Sequence, residues 1–134
     1  MLIRSERAML QYGQKLGKSI QAPLVIELIG DVGAGKTTLT RGIARGLGVT
    51  ADVTSPSFTI SKEYDGEKYR LAHYDFYRLT DPGILADSLA ESIADKQTVT
   101  IIEWGHSTQD VLPQQRRVIE INYIDEKTRE VIEK

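Results

Sequence analysis

Apolar residues recur with two different periods along the chain, and the changes of period divide it into predicted elements. Residues 5–20 carry apolar side chains at helical spacing, and Ser5 is a candidate N-cap. Residues 23–30, PLVIELIG, form an apolar run between Pro and Gly, which is typical of a buried parallel strand. Glu27 interrupts this run, and we interpret it as an outward-facing residue near a margin of the sheet. The first elements are therefore a helix and a strand.

Apolar residues at helical spacing and at strand spacing also follow one another along the rest of the chain. Asp65-Gly66 is a strong hairpin signal, and Asp81-Pro82 suits the start of a helix. The remaining predicted elements are a helix over 37–48, an antiparallel hairpin over 57–79, a helix over about 81–95, a buried strand over 98–105, and closing strands over 116–124 and 129–133. This order predicts an α/β fold with a mixed parallel and antiparallel central sheet.

Composition limits the class of protein. With 134 residues, we expect a single domain over 1–134. The absence of Cys excludes disulfides and thiolate metal sites and favours a reducing cytoplasm. The chain starts without the apolar stretch of a signal peptide, and no run reaches membrane-spanning length. We therefore expect a cytoplasmic protein with no membrane association.

Charge argues against direct nucleic-acid binding. Seventeen basic and nineteen acidic side chains give a net charge of −2, with no long basic block. Affinity for a phosphate backbone depends on the number of Lys and Arg contacts, so free-standing binding is not expected. Two small arginine clusters, Arg41 with Arg45 and Arg116 with Arg117, are interpreted as solvated faces or partner contacts.

The segment that begins at Gly30 supplies the first candidate chemistry. GDVGAGKT fits the frame of a phosphate-binding loop between a strand and a helix, which predicts the three-layer fold of P-loop NTPases. Lys36 can reach the β- and γ-phosphates of ATP, and the Thr37 hydroxyl can ligate Mg²⁺. The candidate cofactor-binding residues are Asp31, Gly33, Ala34, Gly35, Lys36, Thr37 and Thr38.

Two carboxylates could complete the site. Glu103 ends an apolar strand at the sheet edge where the phosphate loop also lies, as expected of an acid that places Mg²⁺ or water. Asp75 lies in HYDFYRL, where alternation puts it on one strand face with His73 and Tyr77. From the pattern alone, Asp75 is equally compatible with catalysis and with an ordinary polar strand edge.

Three other side chains near these motifs receive structural interpretations. His73 and His106 lack metal-ligand spacing, so we expect structural or surface histidines. Trp104 could cover a nucleotide base or fill the core, and the core is the interpretation that the sequence favours.

Four motifs together resemble one family over nearly the whole chain. GDVGAGKTTLTRG, VTSPSFTISKEY, HYDFYRL and IIEWG occur in the order and spacing of the bacterial TsaE (YjeE) family. The resemblance implies an ATPase that supports the TsaB–TsaD pair, which threonylcarbamoylates adenosine 37 of tRNAs reading ANN codons. It also implies that tRNA is met only through these partners, and we expect the isolated chain to be monomeric.

The resemblance also implies roles for individual residues. Lys36 and Thr37 match the phosphate and Mg²⁺ contacts, and Asp75 and Glu103 match acids of the family's motifs. The catalytic candidates are therefore Asp75 and Glu103, and the metal candidates are Thr37, Asp75 and Glu103. Residues 54–58 correspond to a switch-like loop near the γ-phosphate, with Ser57 where many relatives have Thr.

Other functions remain open on the residues alone. A small-molecule kinase would share the loop, but the roughly thirty residues after Glu103 look like strands and leave no place for a lid. A GTPase would need an Asn-Lys-x-Asp motif, and Asn122 is the only Asn. The third alternative is a nucleotide-dependent interaction subunit that does not hydrolyse.

Overall fold

The sheet and helices are seen in a computed structural model that describes residues 1–31, 33–54, 56, 61–77, 85–104, 109 and 111–134. The elements are β1 (Leu2–Ile3), α1 (Glu6–Ser19), β2 (Leu24–Ile29), α2 (Lys36–Gly46), β3 (Ser61–Asp65), β4 (Arg70–Asp75), α3 (Leu85–Ala94), β5 (Thr98–Glu103), β6 (Arg117–Tyr123) and β7 (Arg129–Glu133).

The strands form one mixed sheet in the order β1-β7-β6-β2-β5-β4-β3. Strand β2 is parallel to β5 and β6, and β4 is parallel to β5. The pairs β3–β4, β6–β7 and β1–β7 are antiparallel. The carboxyl ends of β2, β4, β5 and β6 therefore meet at one edge, which we call the carboxyl edge. The predicted mixed α/β sheet is confirmed.

The two faces of the sheet carry separate hydrophobic clusters. Ile26 and Leu28 of β2 join the larger cluster, to which α1 and α2 contribute Met9 and Ile43. Val25 faces the other way and joins the smaller cluster beside Leu89 of α3. Alternation along each strand thus produces the three layers that the sequence predicted.

Helices α1 and α2 approach closely along glycines. A Cβ added at Gly17 would lie 2.3 Å from the carbonyl oxygen of Ile43, and one at Gly13 would lie 2.9 Å from the Cα of Gly42. Real Cβ atoms do not come so near to backbone atoms, so the contact between α1 and α2 requires glycine at these positions. This contact positions α2, whose N-terminus carries the phosphate loop.

Glu27 contradicts its sequence-based interpretation. It lies on the central strand β2 and is only 6% exposed. Arg116 Nε donates to its Oε1 at 2.9 Å, and Gln109 Nε2 donates to its Oε2 at 3.1 Å. The carboxylate is tolerated because it is paired. The predicted solvated or partner-binding cluster of Arg116 with Arg117 is wrong for Arg116, which pairs with the buried Glu27, whereas Arg117 forms a partly exposed ion pair with Glu133 at 2.6 Å.

Helix ends agree with the predictions where the structure describes them. The Ser5 side chain accepts from the Ala8 N–H at 3.0 Å, so the predicted N-cap is confirmed. The capping prediction at Asp81 and Pro82 lies outside the described residues. No helix in the described part of the chain combines the length and apolar character needed to cross a bilayer.

Candidate functional site

The phosphate loop connects β2 to α2 and takes the backbone form that its glycines permit. Gly33 and Gly35 have φ values of 81° and 111°, in the left-handed region that side chains disfavour. A Cβ at Gly30 would lie 2.7 Å from the carbonyl oxygen of Ile121. A Cβ at Gly33 would meet nothing within 4 Å, so the loop borders open space there.

Several backbone donors of the loop have no backbone partner among the described residues. The Ala34 N–H donates to the Asp31 carbonyl at 3.0 Å, which forms a turn inside the loop. Within the described residues, no backbone acceptor is found for the N–H groups of Gly33, Gly35, Lys36, Thr37 and Thr38. Such unpaired donors at a helix N-terminus bind anions, and phosphate fits them.

Lys36 brings a buried positive charge to the loop. Its side chain donates from Nζ to the Gly30 carbonyl at 2.5 Å, and the residue is 6% exposed. Burial lowers the pKa of Lys36, while the charges of Glu103, Asp75 and Asp31, in that order, act to raise it. The ammonium group therefore lies near all three carboxylates, in a position to compensate the charge of a phosphate.

The two predicted acids lie side by side. Asp75 ends β4 and Glu103 ends β5, and they are partners in the parallel register. Glu103 is buried at 3% exposure, while one Asp75 oxygen accepts from the Tyr77 N–H at 3.0 Å. The structure thus brings both acids to the carboxyl edge beside Lys36.

His73 contacts one of these acids. It is fully buried, and its Nε2 lies 2.5 Å from Oε2 of Glu103. The tautomer that carries its proton on Nε2 can donate to the Glu103 carboxylate, which as an anion only accepts hydrogen bonds. The sequence predicted a structural or surface role for His73. In the structure its role is structural, since His73 orients the Glu103 carboxylate. His106 lies outside the described residues.

Trp104 packs against the core, as the sequence favoured, and its ring also lies beside Lys36. It has a φ of 57°, which is unusual for a bulky residue and signals strain. Its ring packs against the smaller core cluster and lies 4.8 Å from the Tyr77 ring, centre to centre. Lys36 Nζ lies 3.7 Å from the centre of the Trp104 ring. Trp104 therefore forms one wall of the site, next to the catalytic candidates.

A family model described as "Threonylcarbamoyl adenosine biosynthesis protein TsaE" matches residues 3–131. The chain belongs to the TsaE family. The Haemophilus influenzae protein named tRNA threonylcarbamoyladenosine biosynthesis protein TsaE is 34% identical over 92% of this chain and 82% of its own length. The Treponema pallidum protein of the same name is 32% identical, covering 96% and 94%.

A solved structure agrees with the TsaE assignment. The crystal structure of Bacillus subtilis YdiB superposes with a TM-score of 0.81 at 32% identity, and the match covers 98% of this chain and 80% of that one. The resemblance inferred from the four motifs is thereby confirmed, and so is the fold class.

The donor set of this TsaE chain suits Mg²⁺. No group of three or more His, Cys, Asp or Glu among the described residues could hold a metal by itself. Mg²⁺ is usually bound by one or two carboxylates together with substrate phosphates and water. The Thr37 hydroxyl makes no hydrogen bond within the described residues. Thr37, Asp75 and Glu103 therefore fit as partial ligands of a phosphate-bound ion.

The predicted switch-like loop is only partly described. Ser55, Ser57 and Phe58 lie outside the described residues. On its N-terminal side, Arg41 Nε donates to the Val53 carbonyl at 2.9 Å. Lys62 Nζ donates to the Thr54 hydroxyl at 2.7 Å. The start of this loop is thus tied to α2 and β3.

Sequence reasoning missed Arg129 altogether. This residue begins β7, and its guanidinium donates to the carbonyl oxygens of Gly33 and Ala34 in the phosphate loop. No spacing or motif distinguishes Arg129 from other basic residues of the C-terminal hairpin. Only the position of β7 in the sheet brings it to the loop.

Proposed function

We propose that this TsaE-family chain binds and hydrolyses Mg-ATP in support of a TsaB–TsaD pair, in the threonylcarbamoylation of adenosine 37 of tRNAs reading ANN codons. Three classes of observation support the proposal. The relatives are named for threonylcarbamoyladenosine biosynthesis. The loop offers unpaired backbone donors and a buried ammonium. Two acids lie beside that ammonium.

The observation that carries the proposal is the meeting of Lys36, Asp75 and Glu103 at the carboxyl edge. A phosphate binder needs only the loop and the lysine. Hydrolysis also needs acids that orient the attacking water, and it needs positive charge that neutralises the γ-phosphate. Here the acids come from two adjacent strands, so their separation is set by the sheet.

Each group has a defined task in hydrolysis. The loop N–H groups bind the phosphates, and Lys36 compensates charge that moves towards the β–γ bridging oxygen. Glu103, held by His73, accepts a hydrogen bond from the water that attacks the γ-phosphorus. As the water oxygen bonds to the γ-phosphorus, the bond to the bridging oxygen breaks, a water proton passes through the Glu103 carboxylate to the released phosphate, and ADP and phosphate leave. Thr37 and the two acids would hold Mg²⁺ here, and the ion would supply further neutralisation of the phosphate charge.

Partner dependence follows from what surrounds this site. Four large apolar side chains at or just beyond the carboxyl ends of strands are exposed: Ile29, Tyr77, Tyr123 and Ile124. Exposed apolar groups around a site are typical of a surface that another protein covers. We therefore expect ATP turnover to be slow in the isolated chain and to rise when TsaB–TsaD is added, with tRNA met through these partners.

The test follows phosphate release and modified tRNA with and without TsaB–TsaD. Lys36→Ala should largely abolish ATP binding, because it removes the only buried ammonium found in the described part of the site. Glu103→Gln and Asp75→Asn should keep nucleotide affinity within a few fold while slowing hydrolysis at least about tenfold. Lys18→Ala, an exposed change at the end of α1, is the matched control for loss of a positive charge.

Each alternative function predicts a different result. A kinase would transfer the phosphoryl group to an acceptor and release little phosphate. A non-hydrolysing interaction subunit would bind ATP without turnover even with both partners present. Parental hydrolysis rates in folded Lys36→Ala protein would overturn the site, and many rounds of tRNA modification without this chain would overturn the role.

A further inference from the structure

We propose that Arg129 is a positioning residue of the phosphate loop, whose guanidinium fixes the loop's peptide planes so that its N–H groups face the phosphate. The inference rests on the proposed function in one respect, since it takes the ligand to be a nucleotide phosphate. Arg129 is separated from the loop by 95 residues in the sequence. It therefore joins two parts of the site that no local motif connects.

The contacts to the loop are specific. Arg129 Nε donates to the Ala34 carbonyl at 3.0 Å, and Nη2 donates to the Gly33 carbonyl at 3.3 Å. The C=O of Ala34 and the N–H of Gly35 belong to one trans peptide unit and point in opposite directions. When Arg129 holds the Ala34 oxygen, the Gly35 N–H must point away from Arg129, where it has no partner among the described residues.

Other carbonyls of the described loop residues are also occupied by donors. The Gly30 oxygen accepts from Lys36, and the Asp31 oxygen accepts from the Ala34 N–H. With these acceptors engaged elsewhere, the carbonyls of the described loop residues do not pair with the N–H groups of Gly33 and Gly35. The donors remain available, and their orientation is set before any ligand arrives, which reduces the free energy needed to order the loop on binding.

Arg129 is itself held rigidly by the β6–β7 hairpin. Its Nη1 donates to the carbonyl oxygens of Asp125 at 2.6 Å and Thr128 at 3.1 Å. Its guanidinium carbon lies 4.6 Å from the centre of the Tyr123 ring. Three nitrogens in a planar fork make these contacts together. A lysine ammonium cannot reproduce such a fork, so charge alone does not account for the arrangement.

The experiment compares Arg129→Lys and Arg129→Gln with the full-length parent chain. Arg117→Gln is the matched control, because Arg117 also makes two side-chain hydrogen bonds within the β6–β7 hairpin, to Glu133, but none to the loop. Calorimetry measures pyrophosphate binding, and hydrogen exchange measures the loop amides in ligand-free protein. Both Arg129 variants should bind at least about tenfold more weakly and exchange faster at the Ala34 amide, whose hydrogen bond to the Asp31 carbonyl closes the turn that Arg129 holds. The control should change neither property more than about twofold.

Steady-state ATP hydrolysis adds a readout that a general loss of stability would not reproduce. The KM for ATP should rise in the Arg129 variants while kcat stays within a few fold, because Asp75 and Glu103 are untouched. Folded Arg129→Gln protein with parental pyrophosphate affinity and parental loop exchange would overturn the inference.

A measurement on the parent protein alone covers the case in which the variants fail to fold. Because coupling is reciprocal, saturating pyrophosphate should slow amide exchange at residues 124–129 of the hairpin. Unchanged hairpin exchange at saturation counts against the role of Arg129. A parent that binds no pyrophosphate would instead refute the proposed function, and the ligand-free exchange of the loop would still decide the role of Arg129.

Discussion

A single imidazole holds the candidate catalytic acid in place. His73 Nε2 lies 2.5 Å from Glu103, and both side chains are almost completely buried. A buried carboxylate without a donor would be costly and free to rotate, whereas one hydrogen bond both stabilises and orients it. The strained backbone of Trp104, the next residue, places the indole against Lys36. Side chains beside the acid thus set its geometry.

We expect His73→Leu to slow ATP hydrolysis about tenfold while nucleotide affinity stays within a few fold, because the Glu103 carboxylate loses its donor. His73→Gln should retain most of the rate, since its amide can donate from a similar position. Single-turnover hydrolysis and calorimetric ATP binding measure the two properties separately. Equal rates in the Leu and Gln variants would show that donation to Glu103 is unimportant.

Individual residues differ in how far the sequence predicts them. The loop residues from Gly33 to Thr38 could be named as candidate phosphate-binding residues, because the motif is local and each of its fixed positions has a known chemical purpose. The contacts of His73 and Arg129 could not be predicted. They join residues 30 and 95 positions apart, respectively, and depend on which strands become neighbours.

At the scale of elements, the packing of α1 against α2 depends on missing side chains. Gly13 and Gly17 on α1 face Gly42 and Gly46 on α2, and a Cβ at Gly46 would lie 2.8 Å from the Cα of Gly17. The helices carry the apolar stripes expected from the sequence. The distance between the two helices is set by the glycines. The spacing of apolar residues alone does not identify these glycines as contact positions.

Gly17→Ala should lower the free energy of unfolding by about 1–3 kcal/mol, because the new methyl group meets the Ile43 carbonyl at 2.3 Å. Gln11→Ala, on the exposed face of the same helix, is the control and should stay within about 0.5 kcal/mol of the parent. Urea denaturation followed by circular dichroism gives both values. A stabilised Gly17→Ala protein would mean that the helices separate without penalty.

At the scale of the whole molecule, a buried ion pair joins the centre of the sheet to the segment before β6. Glu27 lies on β2, and Arg116 lies 89 residues later in the chain. Arg116 also donates to the Pro113 carbonyl at 2.8 Å and to Gln109 at 2.9 Å. These contacts hold the chain where it returns to the sheet at the start of β6, beside β2.

Arg116→Leu should lower the free energy of unfolding by about 3 kcal/mol, because it leaves the Glu27 carboxylate buried without its partner. The double variant Glu27→Leu with Arg116→Leu should be more stable than Arg116→Leu alone, since two apolar residues remove the unpaired charge. Arg117→Leu, which breaks the more exposed pair with Glu133, should change stability by less than about 1 kcal/mol. Denaturant midpoints of the parent, these three variants and the single variant Glu27→Leu test the comparison, and additive effects at Glu27 and Arg116 would contradict it.

The sequence by itself determined the elements other than β1 and pointed to the candidate phosphate loop and the two candidate acids, because periodicity, turn chemistry and a short motif are properties of neighbouring residues. The tertiary structure decided the strand order, and with it the burial of Glu27 and the contacts of His73 and Arg129. An isolated glutamate in an apolar run has the same local pattern at a sheet margin and at a sheet centre. Only its partner, Arg116, distinguishes the two, and that partner is fixed by folding.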